Sequence, residues 1–80
     1  MNGDRFIERA KEVCADYLHV RTEEMYVVLF CKTLQNWKAL VSTDIASGLY
    51  FEVTYNGDKN QIYLDEYKKE NNICIENAME

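Results

Sequence analysis

"GLYFEVTYNGDKNQIYLDEYKK", residues 48–69, decides the fold of this 80-residue chain. In "LYFEVTY" the apolar Leu49, Phe51 and Val53 alternate with Tyr50, Glu52 and Thr54, the period of a strand with one buried face. Beyond Asn56-Gly57 the alternation resumes with Ile62 and Leu64. An antiparallel hairpin follows. A two-residue turn at Asn56-Gly57 sets Phe51 opposite Ile62 and Leu49 opposite Leu64. A loop over Asn56 to Lys59 sets Val53 opposite Ile62 and Phe51 opposite Leu64. Both registers match apolar with apolar, whereas a three-residue loop turns one strand inside out. The Asn-Gly pair favours the shorter turn, because both central positions of a type I′ turn need positive φ.

Working outward, "WKALVST" alternates Trp37, Ala39 and Val41 with Lys38, Leu40 and Ser42, and Gln35-Asn36 links it to "MYVVLFCKTL" in a second tight hairpin. That last stretch, Met25 to Leu34, is apolar on both faces (Met25, Val27, Leu29, Cys31 against Tyr26, Val28, Phe30), which predicts an interior strand. Upstream, Phe6, Ile7, Ala10, Val13, Cys14, Tyr17 and Leu18 fall on one helical face, so a helix is expected from about Gly3 to His19, with Asn2 or Asp4 as N-cap. After Leu64, "DEYKKENN" has an acidic start, a basic end and asparagines to stop it, the pattern of a short helix. Ile73-Cys74-Ile75 fits either its end or an edge strand. The predicted fold is α+β: an N-terminal amphipathic helix packed on a three- to four-stranded antiparallel meander, with a short C-terminal helix. One domain spans residues 1–80, and residues 76–80 form a frayed tail.

A chain this short has room for one thin core, which argues against a deep substrate cavity. Nine basic against fourteen acidic residues give a net charge of −5, unfavourable for a phosphate backbone as partner. Cys14, Cys31 and Cys74 are widely spaced and accompanied by one histidine, so neither a disulfide framework nor a metal site is signalled and no cofactor is expected. All three are expected as reduced thiols, buried or partly so, in a cytoplasmic protein. The N-terminal stretch is charged every few residues and no apolar run is long enough for a membrane span, so the chain is read as soluble, unprocessed and without a membrane partner.

Chemistry-bearing residues are few. His19, at the expected helix end, suits a favourable cation there, and Cys14 lies on the apolar face. Ser42, Thr43 and Asp44 lie side by side at a strand end, as turn residues do. Trp37 is assigned to the core. Two surfaces stand out. Asp4, Glu8, Glu12 and Asp16 recur every four residues as an acidic stripe on the outer face of the helix, partly offset by Arg5, Arg9 and Lys11. On the sheet, Tyr50, Glu52, Thr54, Gln61 and Tyr63 face away from the helix, with Tyr50 and Tyr63 cross-strand or diagonal neighbours. Paired aromatics there can anchor a protein partner or stack single-stranded bases; the acidic charge, with Glu52 beside Tyr50, favours protein.

Taken together, "FCKTLQNWKAL", "YFEVTYNGDKN" and "YLDEYKK" resemble a small uncharacterised family found in phages and prophages of Gram-positive bacteria, over about residues 5–72. Relatives often carry an aromatic at the place of Leu29. The resemblance implies no activity or cofactor, only a setting: an accessory protein expressed inside a bacterial host. The expected function is therefore a non-enzymatic module that binds a host or phage protein through Tyr50, Glu52, Gln61 and Tyr63 or through the acidic helix stripe. A single-strand nucleic-acid binder using the same tyrosines is the alternative, and an acidic nucleic-acid mimic acting through the helix stripe is the third. Homodimerisation through an edge strand or the same sheet face is a separate expectation.

Overall fold

Asn2 starts the N-terminal α-helix: its Oδ1 accepts the backbone N–H of Arg5 at 2.8 Å, satisfying a donor that the first turn leaves free. Helix α1 runs Gly3–Leu18 and stops at His19, whose left-handed backbone (φ 60°) directs its N–H onto the carbonyls of Ala15 and Asp16. The computed structural model describes residues 2–77. A 3-10 turn at Thr22–Glu24 leads into four strands: β1 Met25–Thr33, β2 Asn36–Thr43, β3 Leu49–Asn56 and β4 Gln61–Lys68. They form one antiparallel sheet in the order β1-β2-β3-β4, so the α+β meander is as predicted.

The helix packs on one face of this sheet. Phe6, Ala10 and Cys14 meet Trp37, Ala39, Val41, Phe51 and Val53, all buried. Phe6 lies 5.7 Å from Trp37 between ring centroids, and Phe30 stacks on Trp37 at 6.1 Å. Burial of side chains as large as Phe6 and Phe51 stabilises by roughly 1.5–3 kcal/mol each, which makes these few residues the main source of stability. At the other helix end Tyr17 approaches Phe51 edge-on at 5.8 Å, and its O–H donates to Glu66 Oε1 at 2.9 Å. Thr43 Oγ1 donates to the Glu24 carbonyl (2.7 Å) and accepts the Ile45 N–H (3.2 Å), tying the helix–sheet connection to the end of β2.

Four expectations are corrected. First, β1 is an edge strand, not an interior one. Its register shifts between Val27 and Leu29, a β-bulge at Val28. The bulge exchanges the faces of everything after it: Phe30, opposite Ala39, turns to the helix side, while Leu29 and Cys31, opposite Leu40 and Lys38, turn away. Apolar residues on both sides of β1 thus reflect a change of face, and Val28, Leu29 and Phe30 remain exposed. Bulges also blunt an edge against pairing with other chains.

Second, the β3–β4 loop is Gly57–Asn60, with Asn56 paired to Gln61, Tyr55 to Ile62, Val53 to Leu64 and Phe51 to Glu66. This lies two residues beyond the longer of the two expected registers. Parity is preserved, so Phe51, Val53, Ile62 and Leu64 still share the helix face. Asn56 shapes the loop by side-chain bonding: its Oδ1 accepts the N–H groups of Asp58 (3.0 Å) and Lys59 (3.3 Å), and the positive φ falls at Asn60. Gly57 has a different role. A Cβ there would overlap the Gln35 carbonyl oxygen, because the β3–β4 loop lies against the β1–β2 turn. Third, residues 65–68 extend β4 instead of starting a helix, with Asp65 opposite Glu52, Tyr67 opposite Tyr50, and Lys69 N–H bonded to the Gly48 carbonyl (2.7 Å). Ladder pairing outweighs the weak helical charge pattern. Among the described residues, the segment after β4 has neither helix nor strand, and Ile73 and Ile75 are exposed. The expected frayed tail lies outside the described residues from 78 onward. Fourth, Cys14 alone is buried; Cys31 and Cys74 are exposed.

Gly57→Ala is expected to destabilise by about 1–3 kcal/mol, since the backbone of the neighbouring turn must move to admit the methyl group, and urea unfolding would measure it. Burial pushes the Cys14 thiol up to about 12. A thiol reagent should label Cys31 and Cys74 in the folded protein and Cys14 only on unfolding, as mass spectrometry of the labelled sites would report.

Candidate functional site

The described elements leave the face of the sheet opposite α1 open. Alternation along each strand and the strand register arrange it in rows running β1 to β4. Tyr26, Ser42, Tyr50 and Tyr67 form one row, and Leu29, Leu40, Glu52 and Asp65 the next. Cys31, Lys38, Thr54 and Tyr63 follow, and Thr33, Asn36, Asn56 and Gln61 complete it at the turn end. Tyr26, Leu29, Tyr63 and Tyr67 are all exposed. Scattered apolar residues are ordinary on a protein surface, whereas a contiguous group rimmed by polar ones marks a contact site.

All four sheet residues expected at the site, Tyr50, Glu52, Gln61 and Tyr63, fall on this face. Their arrangement differs from the expected one. Tyr50 pairs with Tyr67 and Tyr63 with Thr54, so Tyr50 and Tyr63 are not neighbours: the row of Glu52 and Asp65 separates them. The reason is the longer loop, which slides β4 along β3. Sequence reasoning missed Tyr67 and Asp65, assigned to a helix, although Tyr63, Asp65 and Tyr67 continue the period of two. It also missed Leu29, whose face depends on the bulge.

The electrostatics of the face centre on that middle row. Glu52 and Asp65 stand directly opposite each other, an arrangement that like charges disfavour. Lys38 Nζ lies 3.7 Å from Glu52 Oε1, a half-exposed pair that neutralises one of the two carboxylates. The row therefore keeps an excess negative charge, flanked by Tyr63 and Tyr67 on β4 and Tyr50 on β3. Toward the turns the face is concave, with a cavity of about 380 Å³ bounded by Cys31, Thr33, Asn36, Lys38, Thr54 and Tyr63. Tyr63 O–H donates to Gln61 Oε1 at 2.7 Å, a bond between same-face neighbours along β4.

The second surface, the acidic stripe, is on α1 with Asp4, Glu8 and Asp16 exposed. Two of its four carboxylates are engaged: Glu8 with Lys11 at 3.6 Å and Glu12 with Arg9 at 3.3 Å. The remaining chemistry is structural. Ser42 is buried and donates to the Leu49 carbonyl at 2.8 Å, Thr43 bridges as described, and the exposed His19 caps the helix through its backbone. The hydrogen bond from Tyr17 to Glu66, and the Glu66 charge beside it, raise the Tyr17 phenol; Glu24 raises Arg21 in the same way. Among the described residues, no group of three or more His, Cys, Asp or Glu side chains could hold a metal ion, and no helix is long and apolar enough to cross a membrane.

No curated protein and no solved structure matches the chain. One family model does, over residues 4–77, a range that includes α1, all four strands and the open face. The chain therefore belongs to the family of unknown function DUF6275.

Proposed function

We propose that this protein is a non-enzymatic binding module whose open sheet face holds a protein partner, contributing aromatic surface from Tyr50, Tyr63 and Tyr67 and negative charge from Glu52 and Asp65. The observation that carries the reading is the middle row, where two carboxylates meet with one lysine and lie between tyrosines. In the isolated chain that arrangement is unfavourable. A partner's Arg or Lys side chain would relieve it, gaining both carboxylate and cation–π contacts. Gln61 and Thr54 at the edge of the row suit the polar rim of such an interface.

The same row weakens the case for single-stranded nucleic acid. The tyrosines could stack bases, but Lys38 is the one cation among the side chains of the four rows, and Glu52 occupies it. The acidic-mimic reading loses support from Arg9 and Lys11, which neutralise the middle of the helix stripe. A role without catalysis is supported by the bonding of Ser42 and Thr43 and by the burial of Cys14, all engaged in the fold. The resemblance to phage and prophage proteins suggests a host or phage protein as the partner, met in the cytoplasm of a bacterial cell.

The test is a pull-down from host lysate with quantitative mass spectrometry. The Tyr50→Ala, Tyr63→Ala double variant should lose the partner at least about tenfold, and Glu52→Gln, Asp65→Asn comparably. Glu8→Gln, Glu12→Gln on the helix should leave recovery unchanged; the reverse outcome would move the site to α1. A short oligonucleotide should fail to bind even at low salt. Self-association through this face would appear instead as a solution mass that rises with concentration and is lowered by Tyr63→Ala.

A further inference from the structure

We propose that the cavity between α1 and the tip of the β3–β4 hairpin binds a small phosphate monoester. It lies on the helix side of the sheet, away from the open face, and does not depend on the function proposed for that face. Its volume is about 300 Å³, and Arg5, Arg9, Tyr55, Asn60, Gln61 and Ile62 line it. Arg5 and Arg9 are one helical turn apart and both line this one space, in a chain whose net charge is −5. Such a pair repels itself and is relieved by a shared anion. Glu12 meets only part of the need: its Oε1 lies 3.3 Å from Arg9 Nη1 with both side chains substantially exposed, while Arg5 has no ion pair among the described residues.

The hairpin supplies the other wall. Tyr55 O–H donates to Asn60 Oδ1 at 3.1 Å, which leaves the Asn60 amide N–H groups as donors. Tyr55 and Ile62 are cross-strand partners, half-buried, and give the wall an apolar and aromatic character. Guanidinium forks match phosphate oxygens two at a time, and a phosphate monoester near neutral pH carries close to two negative charges, the complement of two arginines. The space exceeds a bare phosphate and lies at the lower bound of small-ligand pockets, so the ligand has a compact organic group to lay against Tyr55 and Ile62.

The full chain titrated with phenyl phosphate, inorganic phosphate and acetate at matched ionic strength, followed by amide NMR, tests this. Phenyl phosphate should shift the amides of Arg5, Arg9, Asn60 and Gln61 and leave those of Cys31 and Lys38 in place. Arg5→Ala and Arg9→Ala should each weaken it at least about tenfold, and Arg5→Lys, which keeps the charge but not the fork, should fall between. Glu12→Gln should strengthen binding by freeing Arg9, a gain that a damaged fold could not produce. Absence of shifts at about 10 mM, above a weak millimolar Kd, would overturn the proposal. So would equal shifts with acetate, or unchanged binding by an Arg5→Ala, Arg9→Ala variant that melts like the parent. Equal affinity for inorganic phosphate would overturn the assignment of an ester.

Discussion

Everything in this small fold depends on one helix covering one face of a two-faced sheet. The 16 residues of α1 make a rod about 24 Å long, enough to bury Phe6, Ala10 and Cys14 against the middle strands. Alanines at positions 10 and 39, both fully buried, let the helix approach the sheet where Phe51 and Trp37 fill the space on either side. With a core this thin, the described residues supply no second layer for the opposite face. Among the described residues none is packed there, so the face meets solvent with side chains that tolerate both water and apolar contact, tyrosines above all.

The two hairpin turns form a second constraint at one end of the sheet. The β3–β4 loop rests on the β1–β2 turn, with Gly57 against Gln35 and its N–H 3.4 Å from Asn36 Oδ1. Because β1–β2 and β3–β4 are locked to each other there, both cavities sit at that end: the 380 Å³ concavity on the open face and the 300 Å³ space under Arg5 and Arg9. One placement of loop backbone thus shapes a concavity on each side of the sheet, and the two differ in charge. The open side presents a surplus of carboxylate at its middle row, and the helix side presents guanidinium.

Much of this was legible from local patterns. The helix was readable because a 3.6-residue period and an N-capping asparagine agree, and the meander because alternation recurs between turn residues. The assignment of Tyr50, Glu52, Gln61 and Tyr63 to the open face also survived, although the register behind it shifted. A slip of two residues moves side chains along a face without changing the face, which is why membership was readable and adjacency was not. Tyr67 and Asp65 were missed because acidic-then-basic order resembles a capped helix until strand pairing is available.

What the sequence by itself determined is parity: which residues of β2, β3 and the first half of β4, up to Leu64, point to the helix and which away, since alternation is a local property of an extended chain. Only the tertiary structure decided the position of β1 at the edge, the bulge at Val28 that turns Leu29 and Cys31 outward, and the register that sets Asp65 against Glu52. Those are non-local choices. They go with the stacking of Phe30 beside Trp37 and the fit of Gly57 against Gln35, contacts across strands and turns that alternation along one strand does not encode.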